Sequence, residues 1–258
     1  MHKLLILCVL QCILFACDPY ENPLTRNKPL NEILVYTGIT MSDAVLELKS
    51  EFEKENDCLV HVMYGASGYL KRVIDVNKKG DIFIPGNSSF LDTLIGDAVV
   101  TRRETLGYNR LSFFVPKGNP MGLNGSLSQL AEGDLRLIIG APESGSVGKE
   151  TMYLLQKYGI FHDVALQVHS FAADSKKLAS AIRDNDADIA INWRAVGYTL
   201  KNRDFMDAID IDSPYIRKVP VVMGLLKYSV DTGCPVKFMN MAVSEKGRQI
   251  FHKYGFRD

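Results

Sequence analysis

Ile33-Leu34-Val35-Tyr36 leads through Thr37-Gly38-Ile39-Thr40-Met41-Ser42-Asp43 into a helical pattern, about Met41 to Glu55, with Val45, Leu48 and Phe52 on one face. A short β-rich run, a turn of glycine and hydroxyl residues and then an amphipathic helix form one unit of an α/β protein. The unit recurs along the chain. Leu59 to Tyr64 precedes a helix near Gly68 to Asn77, and Asp81 to Ile84 precedes one near Phe90 to Ile95. Leu111 to Pro116 reads as a further strand, after which the pattern restarts. Leu135 to Ile139 reads as strand, Val147 to Tyr158 as helix, Val164 to His169 as strand, Lys176 to Asn185 as helix and Ala187 to Trp193 as strand. Val219 to Met223 and two closing helical segments, with Phe238, Met241, Ile250, Phe251 and Tyr254, complete the chain. The expectation is an α/β protein of two lobes, each a mostly parallel sheet flanked by helices, with a ligand cleft between them.

The 258 residues are 47% hydrophobic and 23% charged, enough apolar material for full cores. Thirty Lys and Arg balance thirty Asp and Glu, so the electrostatic footprint of a nucleic-acid binder is missing and a bound anion must be held by local groups. Met1-His2-Lys3 followed by the apolar run Leu4 to Ala16 has the form of an export signal too short to span a bilayer. Leu14-Phe15-Ala16-Cys17 resembles a bacterial lipobox. It implies lipidation at Cys17, with residues 1–16 removed, 17–29 serving as tether, and Asp18 favouring retention at the inner membrane. Two cysteines, Cys58 and Cys234, then remain for an oxidising compartment. A count of two does not establish a pair, and a domain of this size needs no staple, so separate, partly buried thiols are expected.

Four turns from strand to helix carry hydroxyls. Thr40 and Asp43 have the spacing of a capping box, Ser67 precedes the second helix, Pro142-Glu143-Ser144-Gly145-Ser146-Val147-Gly148 opens the helix in the second half, and Asp174-Ser175 opens the next. In open α/β sheets the ligand crevice lies outside the carboxyl ends of the strands, where each helix start offers unpaired N–H groups and the positive end of a dipole. A serine there is first of all a cap, contributing about 1 kcal/mol. The second role, as donor to an anion, is compatible with the first because a capping oxygen keeps its own proton.

Val35 to Ala44, Tyr64-Gly65-Ala66-Ser67-Gly68-Tyr69-Leu70, Gly80-Asp81-Ile82-Phe83-Ile84, Gly140-Ala141-Pro142-Glu143, Ala187-Asp188-Ile189-Ala190-Ile191 and Ile250 to Phe256 together resemble the molybdate-binding proteins of bacterial ABC importers. The resemblance implies a two-lobed, type II periplasmic binding fold, with the first lobe over 30–113, the second over 114–207 and a return segment over 208–258 completing the first. It further implies a monomer that needs no cofactor, and delivery of molybdate or tungstate to a membrane permease with its cytoplasmic ATPase. It also implies a ligand set, with hydroxyls from Thr40 and Ser67, backbone amides at Val147 and Ser175, and a donor from Trp193 where the family carries tyrosine. Ser146 and Arg194 are possible further contacts, although alternation puts Arg194 opposite Trp193, as a solvent-facing or interlobe arginine. Were Arg194 in the cleft, a carboxylate or phosphate ester would suit it, since guanidinium binds these bidentately.

An exported serine hydrolase is the rival of another class. Gly65-Ala66-Ser67 begins like a nucleophile elbow, but Tyr69 stands where G-x-S-x-G needs glycine, and His61, His162, His169 and His252 show no spacing that nominates a base. No H-E-x-x-H, paired C-x-x-C, G-x-G-x-x-G or P-loop supports zinc, nucleotide or dinucleotide chemistry. A binding protein, not an enzyme, is therefore expected, and a receptor on the same fold stays open beside an importer subunit.

Overall fold

The strand β1 (Glu32–Gly38) pairs in parallel with β2 (Leu59–Gly65) along its whole length and with β3 (Ile82–Ile84), which places the turns after Gly38, Gly65 and Ile84 along one edge of a sheet. The computed structural model describes residues 31–132, 134–230 and 233–257. The signal, the lipobox with Cys17 and the tether lie outside them. The remaining strands are β4 (Val100–Asn109), β5 (Leu111–Pro116), β6 (Leu137–Gly140), β7 (Val168–Ala172), β8 (Ile189–Trp193), β9 (Met206–Asp210) and β10 (Val219–Leu226). They form two five-stranded sheets with orders β2-β1-β3-β10-β4 and β7-β6-β8-β5-β9. In each sheet four strands run one way and one, β10 or β5, runs against them.

The helices are α1 (Ser42–Glu55), α2 (Ser67–Asn77), α3 (Ser89–Gly96), α4 (Gln129–Glu132), α5 (Ser146–Tyr158), α6 (Phe161–Gln167), α7 (Ser175–Arg183), α8 (Leu200–Arg203), α9 (Gly233–Val243) and α10 (Glu245–Lys253). Each sheet has its own core. Phe113, Phe114, Leu154, Leu178, Ile191 and Trp193 fill the second lobe. In the first, α1, α9 and α10 bury Val45, Leu48, Phe52, Phe238 and Phe251 against β1 and β10, with Phe52 and Phe238 meeting edge to face at 5.2 Å.

The two halves repeat one device. Asp81, buried directly before β3, accepts from the amide of Leu34 in β1 at 2.7 Å, and Asp188, directly before β8, accepts from the amide of Arg136 beside β6 at 2.9 Å. Each aspartate pins a strand's start to its neighbour, which accounts for the similar runs Gly80 to Ile84 and Ala187 to Ile191. Hydrogen bonds from the Arg136 side chain hold the Asp188 carboxyl below its usual range.

Several expectations are corrected. The chain changes sheets at Arg110 and again between Asp210 and Val219, so boundaries at 113/114 and 207/208 would cut through β5 and β9. Val164 to His169 is not one strand: Phe161–Gln167 is helical, since Phe161, Val164 and Ala165 share a face while Leu166 is 73% exposed, and β7 begins at Val168. β4 carries Arg102, Arg103 and Glu104 at the sheet edge, where charge blunts unwanted pairing and hides the strand from a hydrophobic reading.

Cys58 and Cys234 are joined in a disulfide rather than left as separate thiols, with Cα atoms 6.0 Å apart. The bond ties the entry to β2 to α9 across 176 residues of sequence, fastening the return segment to the first lobe. Spatial adjacency created by that return could not be seen from a count of two. Closing so long a loop restricts the unfolded chain, and loss of such a bond costs roughly 2–4 kcal/mol. Cys234→Ser is expected to lower stability by about that amount in denaturant titration, and a reductant is expected to destabilise the wild type but not the variant.

Candidate functional site

The carboxyl ends of β1 and β2 from one lobe and of β6 and β7 from the other face each other, and the turns leaving them enclose a hollow lined by Gly38 to Thr40, Gly65 to Ser67, Gly145 to Val147, Asp174 and Ser175. Thr40, Ser67, Ser146, Val147 and Ser175 thus meet at one place. The hollow is small: about 10 Å³ is open to the centre of a water-sized sphere, near the least that one water needs. A tetrahedral oxyanion is wider than one water, so seating it requires the lobes to part slightly.

The hydroxyls are not helix caps. Ala66, Gly145 and Asp174 hold the extended N-cap positions of α2, α5 and α7, and Ser67, Ser146 and Ser175 each follow as the first helical residue. Asp174 caps α7 itself by accepting from the amides of Lys176 and Lys177, both at 2.9 Å. That leaves the Ser175 amide unclaimed, and the Val147 amide likewise has no acceptor among the described residues. The capping box expected of Thr40 and Asp43 is also not made. Ile39–Met41 forms a 3-10 turn, Met41 is the N-cap of α1, and Thr40 instead donates from Oγ1 to Ser175 Oγ across the cleft at 3.0 Å.

Each serine oxygen already accepts one bond from the protein. Ser67 Oγ accepts from the Gly86 amide at 3.0 Å, Ser146 Oγ from Trp193 Nε1 at 3.1 Å, and Ser175 Oγ from Thr40. Their protons remain to be donated. With the Val147 and Ser175 amides, five donors surround the hollow, backed by the positive ends of α2, α5 and α7. One carboxylate, Asp174, also borders it, engaged by the α7 amides.

One expected contact, Trp193, lies elsewhere, and Arg194 faces away from the cleft as alternation along the strand implies. Trp193, with 0% exposure, belongs to the core of the second lobe, and its indole N–H is spent on Ser146; its ring is too deep to reach a ligand directly. Arg194 points to the opposite side of the strand end, where it pairs with Asp210 and Ser112. The guanidinium argument for a carboxylate or phosphate ester therefore does not apply at the hollow.

Closure rests on two glycines and one ion pair with a buried carboxylate that the hydroxyl pattern did not reveal. A Cβ on Gly86 would stand 2.3 Å from Ser146 Oγ, and one on Gly68 would stand 2.9 Å from the Ser144 carbonyl oxygen, so these positions let the lobes touch. Glu150, one turn into α5, accepts from Asn87 Nδ2 of the first lobe at 3.1 Å and from Arg217 Nε and Nη2 at 2.9 and 2.6 Å. The carboxylate raises the Arg217 pKa further, and the guanidinium stacks 3.6 Å above Tyr153. Arg217 lies on the segment joining β9 to β10, so this cluster binds the second lobe to both the first and the connecting chain.

Beside the hollow, sharing Ile39, Thr40 and Ser175 with it, a recess of about 310 Å³ runs between the lobes past Tyr64, Lys176, Arg183 and Lys201. Lys176 and Lys201 have no ion-pair partner among the described residues.

Two α/β lobes with helix starts from both converging on a cleft define a solute-binding protein. The chain belongs to the family of bacterial extracellular solute-binding proteins, whose model it matches over residues 33–257. Among curated relatives it is 22% identical to the molybdate-binding protein ModA of Escherichia coli over 233 residues, 87% of this chain and 88% of that one. Among solved structures, the sulfate-binding protein SubI of Mycobacterium tuberculosis superimposes with a TM-score of 0.77 at 15% identity, covering 88% of this chain and 86% of that one. L-phospholactate-bound PEB3, a Campylobacter jejuni protein, gives 0.71 at 18% identity, covering 88% and 99%. At such identities the structures establish the fold alone.

Ser67→Ala removes a donor from the hollow and also the acceptor of the buried Gly86 amide. It is expected to weaken oxyanion binding at least about tenfold and, unlike removal of a plain surface hydroxyl, to lower stability by about 1–3 kcal/mol. Calorimetry and denaturant unfolding check the two effects separately.

Proposed function

We propose that the protein captures a small, fully ionised tetrahedral oxyanion, molybdate or tungstate, in the hollow between its lobes and passes it to an ABC permease driven by a cytoplasmic ATPase. In this reading it is anchored through Cys17 on the periplasmic side of the inner membrane. The observation that carries the ligand class is the convergence of five donors from helix starts, with no cationic side chain lining the hollow. Hydrogen bonds to a charged group contribute about 1.5–3 kcal/mol each, so five are of the size needed for the roughly 8 kcal/mol of micromolar binding. An anion enclosed without them would be prohibitively costly to desolvate. The match to a molybdate-binding relative over most of the chain supports the choice of oxyanion. Sulfate shares charge and shape, so selectivity against it rests on cavity size and donor spacing.

A second reading has its own observation. The recess with Lys176 and Lys201 could take the remainder of a small organic anion, such as a phosphorylated or carboxylated acid, whose head fills the hollow. The PEB3 neighbour, with its L-phospholactate, shows that the fold accommodates such a molecule. Calorimetric titration of the delipidated protein with molybdate, tungstate, sulfate, phosphate, citrate and phosphoglycerate separates the readings. The first expects tight binding of the two metal oxyanions and affinities unchanged within about twofold by Lys176→Ala or Lys201→Ala. Tight binding of an organic acid, lost in those variants, with silence toward molybdate and tungstate, reverses the ranking.

A further inference from the structure

Trp193 closes β8 and Asn192 precedes it, both fully buried, and the pair braces both helix starts of the second lobe. Asn192 Nδ2 donates to the Ser175 carbonyl at 2.9 Å, and its Oδ1 accepts from the Trp193 amide at 2.8 Å. The Trp193 indole reaches the other helix and donates from Nε1 to Ser146 Oγ at 3.1 Å. An indole N–H can only donate. The Ser146 proton therefore cannot turn toward Trp193 and finds no acceptor among the described residues, while its oxygen borders the hollow. A serine left to rotate would serve as acceptor or donor alike. Held by indole, it serves a ligand as donor.

We propose that Trp193 is a positioning residue that orients the Ser146 hydroxyl by occupying one of its lone pairs, so that the Ser146 proton is directed into the ligand hollow toward an accepting ligand oxygen. The inference rests on the oxyanion reading above and assigns Trp193 a role without contact to the ligand. It makes the indole part of the affinity, because a Ser146 hydroxyl without that anchor would not present its proton to the ligand in one fixed direction.

The protein contains one tryptophan, so the bond can be read without any ligand. In Ser146→Ala the indole N–H loses its acceptor, and the emission maximum is expected to move to shorter wavelength with the fold intact by circular dichroism. An unmoved maximum overturns the proposal. Binding then tests the consequence through a double-mutant cycle of Trp193→Phe and Ser146→Ala, titrated with molybdate. Ser146→Ala is expected to weaken binding about tenfold and Trp193→Phe several-fold, with the Trp193→Phe effect disappearing in the Ser146→Ala background. Damage from emptying the core at Trp193 would instead lower affinity equally in both backgrounds, which overturns a positioning role, as would full affinity in Trp193→Phe. A wild type that binds none of the tetrahedral oxyanions, while Ser146→Ala shifts the emission as expected, leaves the Ser146 bond standing and removes the oxyanion reading.

Discussion

A hydroxyl on the first helical residue cannot serve as the helix's own N-cap, and at α2, α5 and α7 this frees Ser67, Ser146 and Ser175 for the space in front of the helix. The cap falls to the preceding residue, through the Asp174 carboxylate in α7. In α5 and α7 the same offset brings an unpaired amide to the hollow together with the hydroxyl, so these two helix starts each offer two kinds of donor and a dipole pointing the same way. Charge balance is then achieved by dipoles fixed before the ligand arrives, which fits a chain whose acidic and basic residues cancel.

The hollow exists only while the lobes are together, and the contacts that close it are spread around it. Thr40 to Ser175 bridges one side, and Gly68 and Gly86 bring backbone against the loop before α5. Glu150 with Asn87 and Arg217 locks the far side through a buried, fully hydrogen-bonded carboxylate. Removing one partner of such a cluster leaves a buried charge unsatisfied, whereas the complete cluster adds little net stability, so its evident use is to specify one closed arrangement. Because Glu150 sits one turn beyond Ser146, the helix that presents donors to the hollow also carries the contact to the connecting segment.

Much of this was legible in the sequence. The repeated strand, turn and helix units gave the two-lobed α/β plan, the hydroxyl-bearing turns marked Thr40, Ser67, Ser146 and Ser175, and the family resemblance added the backbone amides at Val147 and Ser175. What periodicity could not supply was direction and distance. The Thr40 and Asp43 spacing suggested a cap because a 3-10 turn before α1 leaves no mark on the pattern. Trp193 was expected at the ligand but is too large and too deep in the core, whereas alternation already turned Arg194 away from it. Cys58 and Cys234 become neighbours only when α9 returns to the first lobe. Glu150 offered no signal at all, since its partners Asn87 and Arg217 lie 63 and 67 residues away.

The central claim is that donors from both lobes surround one bare dianion. Crystals grown with tungstate, measured at an X-ray energy where tungsten scatters anomalously, test it most directly. The account predicts a single strong anomalous peak within hydrogen-bonding reach, through its oxygens, of Ser67, Ser146, Val147 and Ser175. A peak seated instead against Lys176 and Lys201 in the neighbouring recess, with the hollow between the helix starts empty, would contradict it.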